Sequence, residues 1–290
     1  MNTNTSSCEC FPSEPSDQIY LLPNGLSVYH VNKHETDFLY KEIFAERSYF
    51  KHGITLNSNA CVFDIGANIG LFSLFVKTEC ADAHVYAFEP IPQLNRILKL
   101  NVSQHSQTVR VYQYGISDSE RDAVFTYYPD YSILSGLHAN ASEDANVLAS
   151  GIRHQLAGGQ AKLMDVPDEY IDSLVQKRLG KKVEIKCQLK TISGIIHEAN
   201  IKQIDLLKID AEKSELAILK GIQEDDWQII KQIVLEAHSI EEVDVVIPLL
   251  KQKGFEIKVE QEDQFANSGV FNCFATRIND SCGEPKATLL

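Results

Sequence analysis

At 290 residues, with 44% apolar and 23% charged side chains, the chain has the makeup of one soluble α/β domain with embellishments. A net charge of −13 argues against a nucleic-acid surface, which needs a basic stripe to neutralise phosphates. Seven cysteines without paired metal-ligand spacing argue against zinc and fit a reducing, cytoplasmic setting.

Residues 1–17 are polar, rich in Ser, Thr, Glu and Pro, and are expected to be a disordered tail, not a signal peptide or a membrane span. Residues 18–60 read as a cap. A hairpin turns at Pro23-Asn24-Gly25, and a helix N-capped at Thr36-Asp37 carries Phe38, Leu39, Ile43 and Phe44. Residues 61–278 then alternate strand and helix: strand 61–65, helix 71–77, strand 84–88, helix 93–103 and strand 109–114. From about 122 to 186 the pattern loosens into a long insertion, of the kind that often forms a lid, with a strand at 183–189 closing it. Strand 204–209, a helix closed by Gly221, strand 229–235 and helix 241–253 follow. A last strand pair, 255–260 and 270–276, places an antiparallel strand in the sheet, and 279–290 is a second disordered tail. Apolar strands alternating with helices predict an α/β, Rossmann-like fold: a mostly parallel sheet covered on both faces.

The run Val62-Phe-Asp64-Ile-Gly66-Ala-Asn68-Ile-Gly70 is strand, tight turn and helix start in one. Gly66 and Gly70 allow a sharp turn and close approach to a ligand at the carboxyl edge of the sheet. Glu89, about 20 residues on, stands where doubly wound folds place an acid on ribose hydroxyls. The loop lacks the Gly-x-Gly-x-x-Gly spacing that holds a dinucleotide pyrophosphate, and Asp64 would repel phosphate. Both features favour a cationic ligand with a ribose and no phosphate, which is S-adenosylmethionine (SAM). The cofactor-binding set is therefore Asp64, Gly66, Asn68, Gly70, Glu89, Ser117 and Asp210, with residues 115–118 bordering the adenine. A nicotinamide-dependent reductase and a non-catalytic SAM-fold partner subunit are the alternatives.

These segments, together with Leu207-Lys-Ile-Asp-Ala-Glu212, Glu215 and Glu236-Ala-His238, resemble the FkbM family of SAM-dependent methyltransferases over residues 18–277. Glu35-Thr-Asp-Phe-Leu-Tyr40, Tyr131-Ser-Ile-Leu-Ser-Gly-Leu137 and Glu212-Lys-Ser-Glu215 are similar to the branch that accompanies polyketide and nonribosomal peptide synthetases. The resemblance implies a seven-stranded methyltransferase sheet and O-methylation of a hydroxyl on a secondary metabolite, either a free small molecule or an acyl chain on a carrier protein.

Asp210 and Glu212, like Glu236 and His238, are two apart at a strand end and are expected to converge at the sheet's carboxyl edge. Transfer to oxygen needs a proton acceptor, for which His238, oriented by Glu236, is the leading candidate and His138 the rival. No resident metal is expected, although the same cluster is a possible magnesium site. Tyr127, Tyr128 and Tyr131 are expected to pack or wall the lid. The basic run Lys177, Arg178, Lys181 and Lys182 is either a solvated face or a docking patch for an acidic carrier protein.

Overall fold

The structure, a computed structural model, describes residues 18–156, 167–261 and 269–278. Both expected disordered tails lie outside the described residues. The hairpin forms as expected from β1 (Ile19–Leu21) and β2 (Ser27–Tyr29). Helix α1 (Lys33–Tyr40) starts earlier than Thr36-Asp37, because Asn32 caps it by accepting from the Glu35 N–H. A π-helical turn, Lys41–Ala45, continues it.

Then come β3 (Cys61–Ile65), α2 (Leu71–Glu79), β4 (His84–Phe88), α3 (Pro92–Asn101) and β5 (Val109–Tyr112). The strand expected at 109–114 ends sooner. Its continuation, β6 (Gly115–Ile116), joins β7 (Arg121–Tyr127) and β8 (Val183–Lys190) in a separate three-stranded sheet. Between β7 and β8 the insertion carries two helices, α4 (Ala141–Leu156) and α5 (Asp168–Leu179). They enclose a small core of Tyr128, Leu134, Leu148, Ile152, Ile171 and Val175. The chain returns through α6 (Ile192–Glu198), β9 (Leu206–Ile209), α7 (Glu215–Lys220), β10 (Gln232–Ala237), α8 (Ile240–Gln252), β11 (Phe255–Glu260) and β12 (Phe271–Arg277). Strand β10 starts later than expected, since a 3-10 turn spans Glu224–Ile229.

The main sheet has the order β11-β12-β10-β9-β3-β4-β5, with β12 antiparallel between β11 and β10. Successive side chains alternate between its faces. Val62, Val85 and Leu206 pack with α2, α3 and the cap, whereas Phe63, Tyr86 and Leu207 pack with α6, α7 and α8. The register sets Asp64 of β3 beside Lys208 of β9 on the α2 face. Among the described residues no helix is long and apolar enough to cross a membrane, and Cys61, Cys80, Cys187 and Cys273 are free thiols.

Candidate active site

A cavity of about 520 Å³ opens at the carboxyl ends of β3, β4, β9 and β10, under the cap and the insertion. At one end, the β3–α2 turn is shaped by residues with positive φ: Gly66 (74°), Asn68 (48°) and Gly70 (90°). A Cβ on Gly66 would lie 1.7 Å from the Asp210 carbonyl oxygen, so no larger residue fits there. Glu89, at the end of β4, is buried. Its Oε2 accepts from the Asn68 N–H at 3.0 Å and its Oε1 from the Ile91 N–H at 2.9 Å. Burial pushes its carboxyl up to about 8. Glu89 lines the cavity, and a carboxylate has acceptor capacity beyond these two bonds, as binding a ribose diol requires.

Behind the loop, Asp64 is fully buried and is no part of the cavity wall. It accepts from Ser73 Oγ at 2.7 Å and faces Lys208 Nζ at 3.3 Å. Lys208 Nζ also donates to the Gly66 carbonyl at 3.0 Å and lies 3.3 Å from Asp210 Oδ2. Burial works against its charge, but Asp210 and Asp64 hold it above the ordinary lysine value. Tyr49, from the cap, donates to Asp210 Oδ2 at 2.9 Å. Gly70 likewise stands off the cavity. It precedes α2, and a Cβ there would meet Leu98 at 2.5 Å. Ser117 is also buried away from the wall, its N–H bonded to the Lys190 carbonyl, while Gly115 and Ile116 face the cavity.

At the other end of the cavity, His238 follows β10. Its Nε2 lies 3.3 Å from Glu212 Oε2 and 3.5 Å from Glu236 Oε1, and its Nδ1 lies 3.5 Å from Glu215 Oε2. Burial alone would lower the imidazole, yet Glu215 and Glu212 hold it well above its usual value. Burial, with Asp210 adding repulsion, raises Glu236 well above the carboxylate range, and burial raises Glu212 as well. Glu212 and Lys213 both have positive φ (49° and 69°), a strained turn for two residues with side chains. That turn takes Glu212 out of the strand alternation that sequence spacing presumed. Asp210 keeps it, sharing the Lys208 face of the sheet.

The insertion covers this end. A Cβ on Gly136 would lie 2.9 Å from Glu212 Cβ, so the insertion backbone rests directly on the turn. Lys213 Nζ reaches out to Asp144 Oδ1 (2.9 Å) and Glu143 Oε2 (2.8 Å) on α4. Buried Glu35 of α1 accepts from the Ser132 N–H (2.9 Å) and Oγ–H (2.6 Å). Asn68 Nδ2 donates to the same Ser132 hydroxyl at 3.3 Å. His138 is exposed and off the cavity wall. Tyr127 and Tyr128 are buried, whereas Tyr131 lines the cavity with Arg178 over its ring at 5.1 Å. Sequence spacing missed Lys208, Glu215, Tyr49 and Glu35. Lys208, Glu215 and Glu35 nevertheless stand in the segments that carry the family resemblance.

The strand order with its antiparallel β12, the glycine turn and the acid ending β4 define a class I SAM-dependent methyltransferase. The Glu89 carboxyl at the cavity wall fits the ribose of that cofactor. The chain belongs to the FkbM methyltransferase family, since residues 64–257 match the model of the methyltransferase FkbM domain. It is 37% identical to the 31-O-demethyl-FK506 methyltransferase FkbM of Streptomyces tacrolimicus, over 88% of this chain and 95% of that protein. It is 36% identical to the AMB antimetabolite synthetase AmbE of Pseudomonas aeruginosa over 91% of this chain, which spans only 13% of AmbE. Methyltransferase sdnD of Sordaria araneosa is 32% identical, with 83% of this chain and 92% of sdnD covered.

Proposed function

We propose that the chain methylates a hydroxyl of a polyketide- or nonribosomal-peptide-type secondary metabolite in the cytoplasm. The observation that carries this reading is one cavity joining the Glu89 carboxyl at one end to the His238–Glu236–Glu212 cluster at the other. The likeness to an O-methyltransferase named for FK506 supports a hydroxyl acceptor. The likeness to a segment of an antimetabolite synthetase supports a biosynthetic acceptor, either free or bound to a carrier protein.

Glu89 holds the ribose diol, and Gly66 and Asn68 shape the loop against the cofactor. Asp210, fixed by Tyr49 and Lys208, offers a carboxylate to its cationic part. Asp64, Gly70 and Ser117 act indirectly by fixing the walls. SAM, when bound, supplies an electrophilic methyl group on a positively charged sulfur. As the acceptor oxygen attacks, His238 takes the hydroxyl proton at Nε2. For Nε2 to accept, the ring's second proton must sit on Glu212 or Glu236, 3.3 and 3.5 Å away, whose raised carboxyls favour the protonated form. Cap and insertion close over the acceptor and exclude water. His138 lies outside this path and has at most a secondary role in binding the acceptor.

The test is to incubate the protein with labelled SAM and an extract of its native producer, and to look for a product heavier by one methyl group. His238→Ala should keep SAM affinity and lose about 10²–10⁴-fold in turnover, the usual worth of a general base. His138→Ala should lose far less. Full turnover in His238→Ala would remove the base assignment.

A further inference from the structure

The reaction as described leaves Glu215 without a task. This carboxyl is fully buried at the start of α7. Its Oε1 accepts from the Ala211 N–H at 3.0 Å, which ties it to the turn carrying Glu212. Its Oε2 and His238 Nδ1 face each other at 3.5 Å, and both are buried without a hydrogen bond. Glu242, on α8, steadies the same region. Its Oε2 accepts from the His238 N–H at 3.0 Å and its Oε1 from the Leu216 N–H at 3.3 Å.

We infer that Glu215 is the positioning residue of His238, holding the ring proton at Nδ1 so that Nε2 is the nitrogen offered to the acceptor hydroxyl. The inference rests on the reading of His238 as the base. A carboxylate can only accept, so the nitrogen facing Glu215 must carry hydrogen. Two buried polar atoms left unpaired are costly, and one slightly shorter contact would satisfy both. Catalytic hydrogen bonds in unliganded enzymes are often long and tighten when the complex forms. Nε2 lies on the side of Glu212 and Glu236, which line the cavity with His238, whereas Nδ1 is buried against Glu215, so Nε2 is the nitrogen an acceptor meets.

The charged groups around the ring are Glu212 and Glu215 from the β9–α7 segment, Glu236 from β10 and Glu242 from α8. Asp210, paired with Lys208, stands beyond Glu212. Ligand-type atoms of Glu215, His238 and Glu242 lie within 4.8 Å of one another, so a divalent ion is the competing occupant of the gap.

The experiment uses the full chain with ¹⁵N-labelled histidine, in wild type, Glu215→Gln, Glu215→Asp and His238→Ala, the last to identify the His238 signals. Wild type should show hydrogen on Nδ1. Glu215→Gln removes a negative charge at nearly constant shape. It should lower the His238 titration by more than about one pH unit and move the acid limb of kcat to lower pH. It should also cut kcat roughly 10- to 100-fold, with SAM affinity held within about twofold. Glu215→Asp should restore the titration and only part of kcat, which a merely structural role would not do. An unprotonated Nδ1, an unmoved titration in Glu215→Gln, or a stoichiometric divalent ion whose chelation changes the His238 signals would each overturn the inference. A fully active His238→Ala would instead sink the base reading beneath it, and a dead His238→Ala beside an unaltered Glu215→Gln would sink this inference alone.

Discussion

Replacing Glu89 with alanine tests the cofactor end of the cavity. The buried carboxyl already accepts one backbone N–H on each oxygen, from Asn68 and Ile91, and on the proposed reading its remaining lone pairs take the diol. Losing two charge-assisted contacts costs about 2–3 kcal/mol, or roughly 30- to 150-fold in SAM affinity. The two backbone amides lose their acceptors as well, but they do so with and without ligand, so that loss appears in thermal stability and not in affinity. Calorimetry with SAM and with an analogue lacking the ribose hydroxyls separates the two. Wild type should weaken on losing the hydroxyls, and Glu89→Ala should not weaken further. The pH dependence provides a second check. Burial holds the free carboxyl at about 8, so below that pH it is mostly protonated. Two hydroxyl donors favour the ionised form, so the bound protein holds fewer protons than the free one. Affinity should therefore rise with pH towards about 8 and level off above it, and this component should vanish in Glu89→Ala. Unchanged affinity in a folded Glu89→Ala protein would refute the assignment.

Lys208→Met should cost about 3–5 kcal/mol in urea unfolding, because Asp64 would keep a buried charge with only Ser73 to meet it. Adding Asp64→Asn should recover part of that, and a loss below about 1 kcal/mol in the single variant would show that the pair is not the support inferred here. Hydrogen exchange across α4 and α5 should slow when SAH and an acceptor are bound together. Lys213→Ala should speed exchange in α4 of the free protein about fivefold by releasing Asp144 and Glu143, and equal rates in all states would end the lid reading.

Local chemistry made much of the fold legible. Each parallel strand is a short apolar run followed by turn residues, and the Gly66–Gly70 turn and the final antiparallel strand lie where sequence spacing put them. The insertion shows little helical pattern in sequence because its helices bury only a narrow stripe. Among the described residues of α4 and α5, Leu148, Ile152, Ile171 and Val175 are buried in the small core, and Ala145, Val147, Ala149, Leu174 and Leu179 pack only partly buried against it, which blurs the helical period. The cap of α1 at Asn32 is hard to tell from sequence because Thr36-Asp37 offers equally good capping chemistry four residues later.

The site divides along a different line. Of the spacing pairs Asp210/Glu212 and Glu236/His238, Asp210 and Glu236 keep the strand alternation, whereas Glu212 leaves it through a left-handed turn. Contacts made across long separations left no trace in local sequence, such as Tyr49 with Asp210 and Glu35 with Ser132. Asp64 shows why. An acid at a strand end beside a glycine turn reads as ligand-facing until the parallel register is known, and register is fixed by the whole sheet. Here it sets Lys208 alongside, and the ammonium takes Asp64 on one side and the Gly66 carbonyl on the other. The acid therefore acts on the cofactor loop through the lysine, by holding the charge that holds the turn. On that view Asp64→Asn should loosen the loop and weaken SAM binding less than Glu89→Ala does, because it removes a support of the wall and leaves the contacts to the ligand in place.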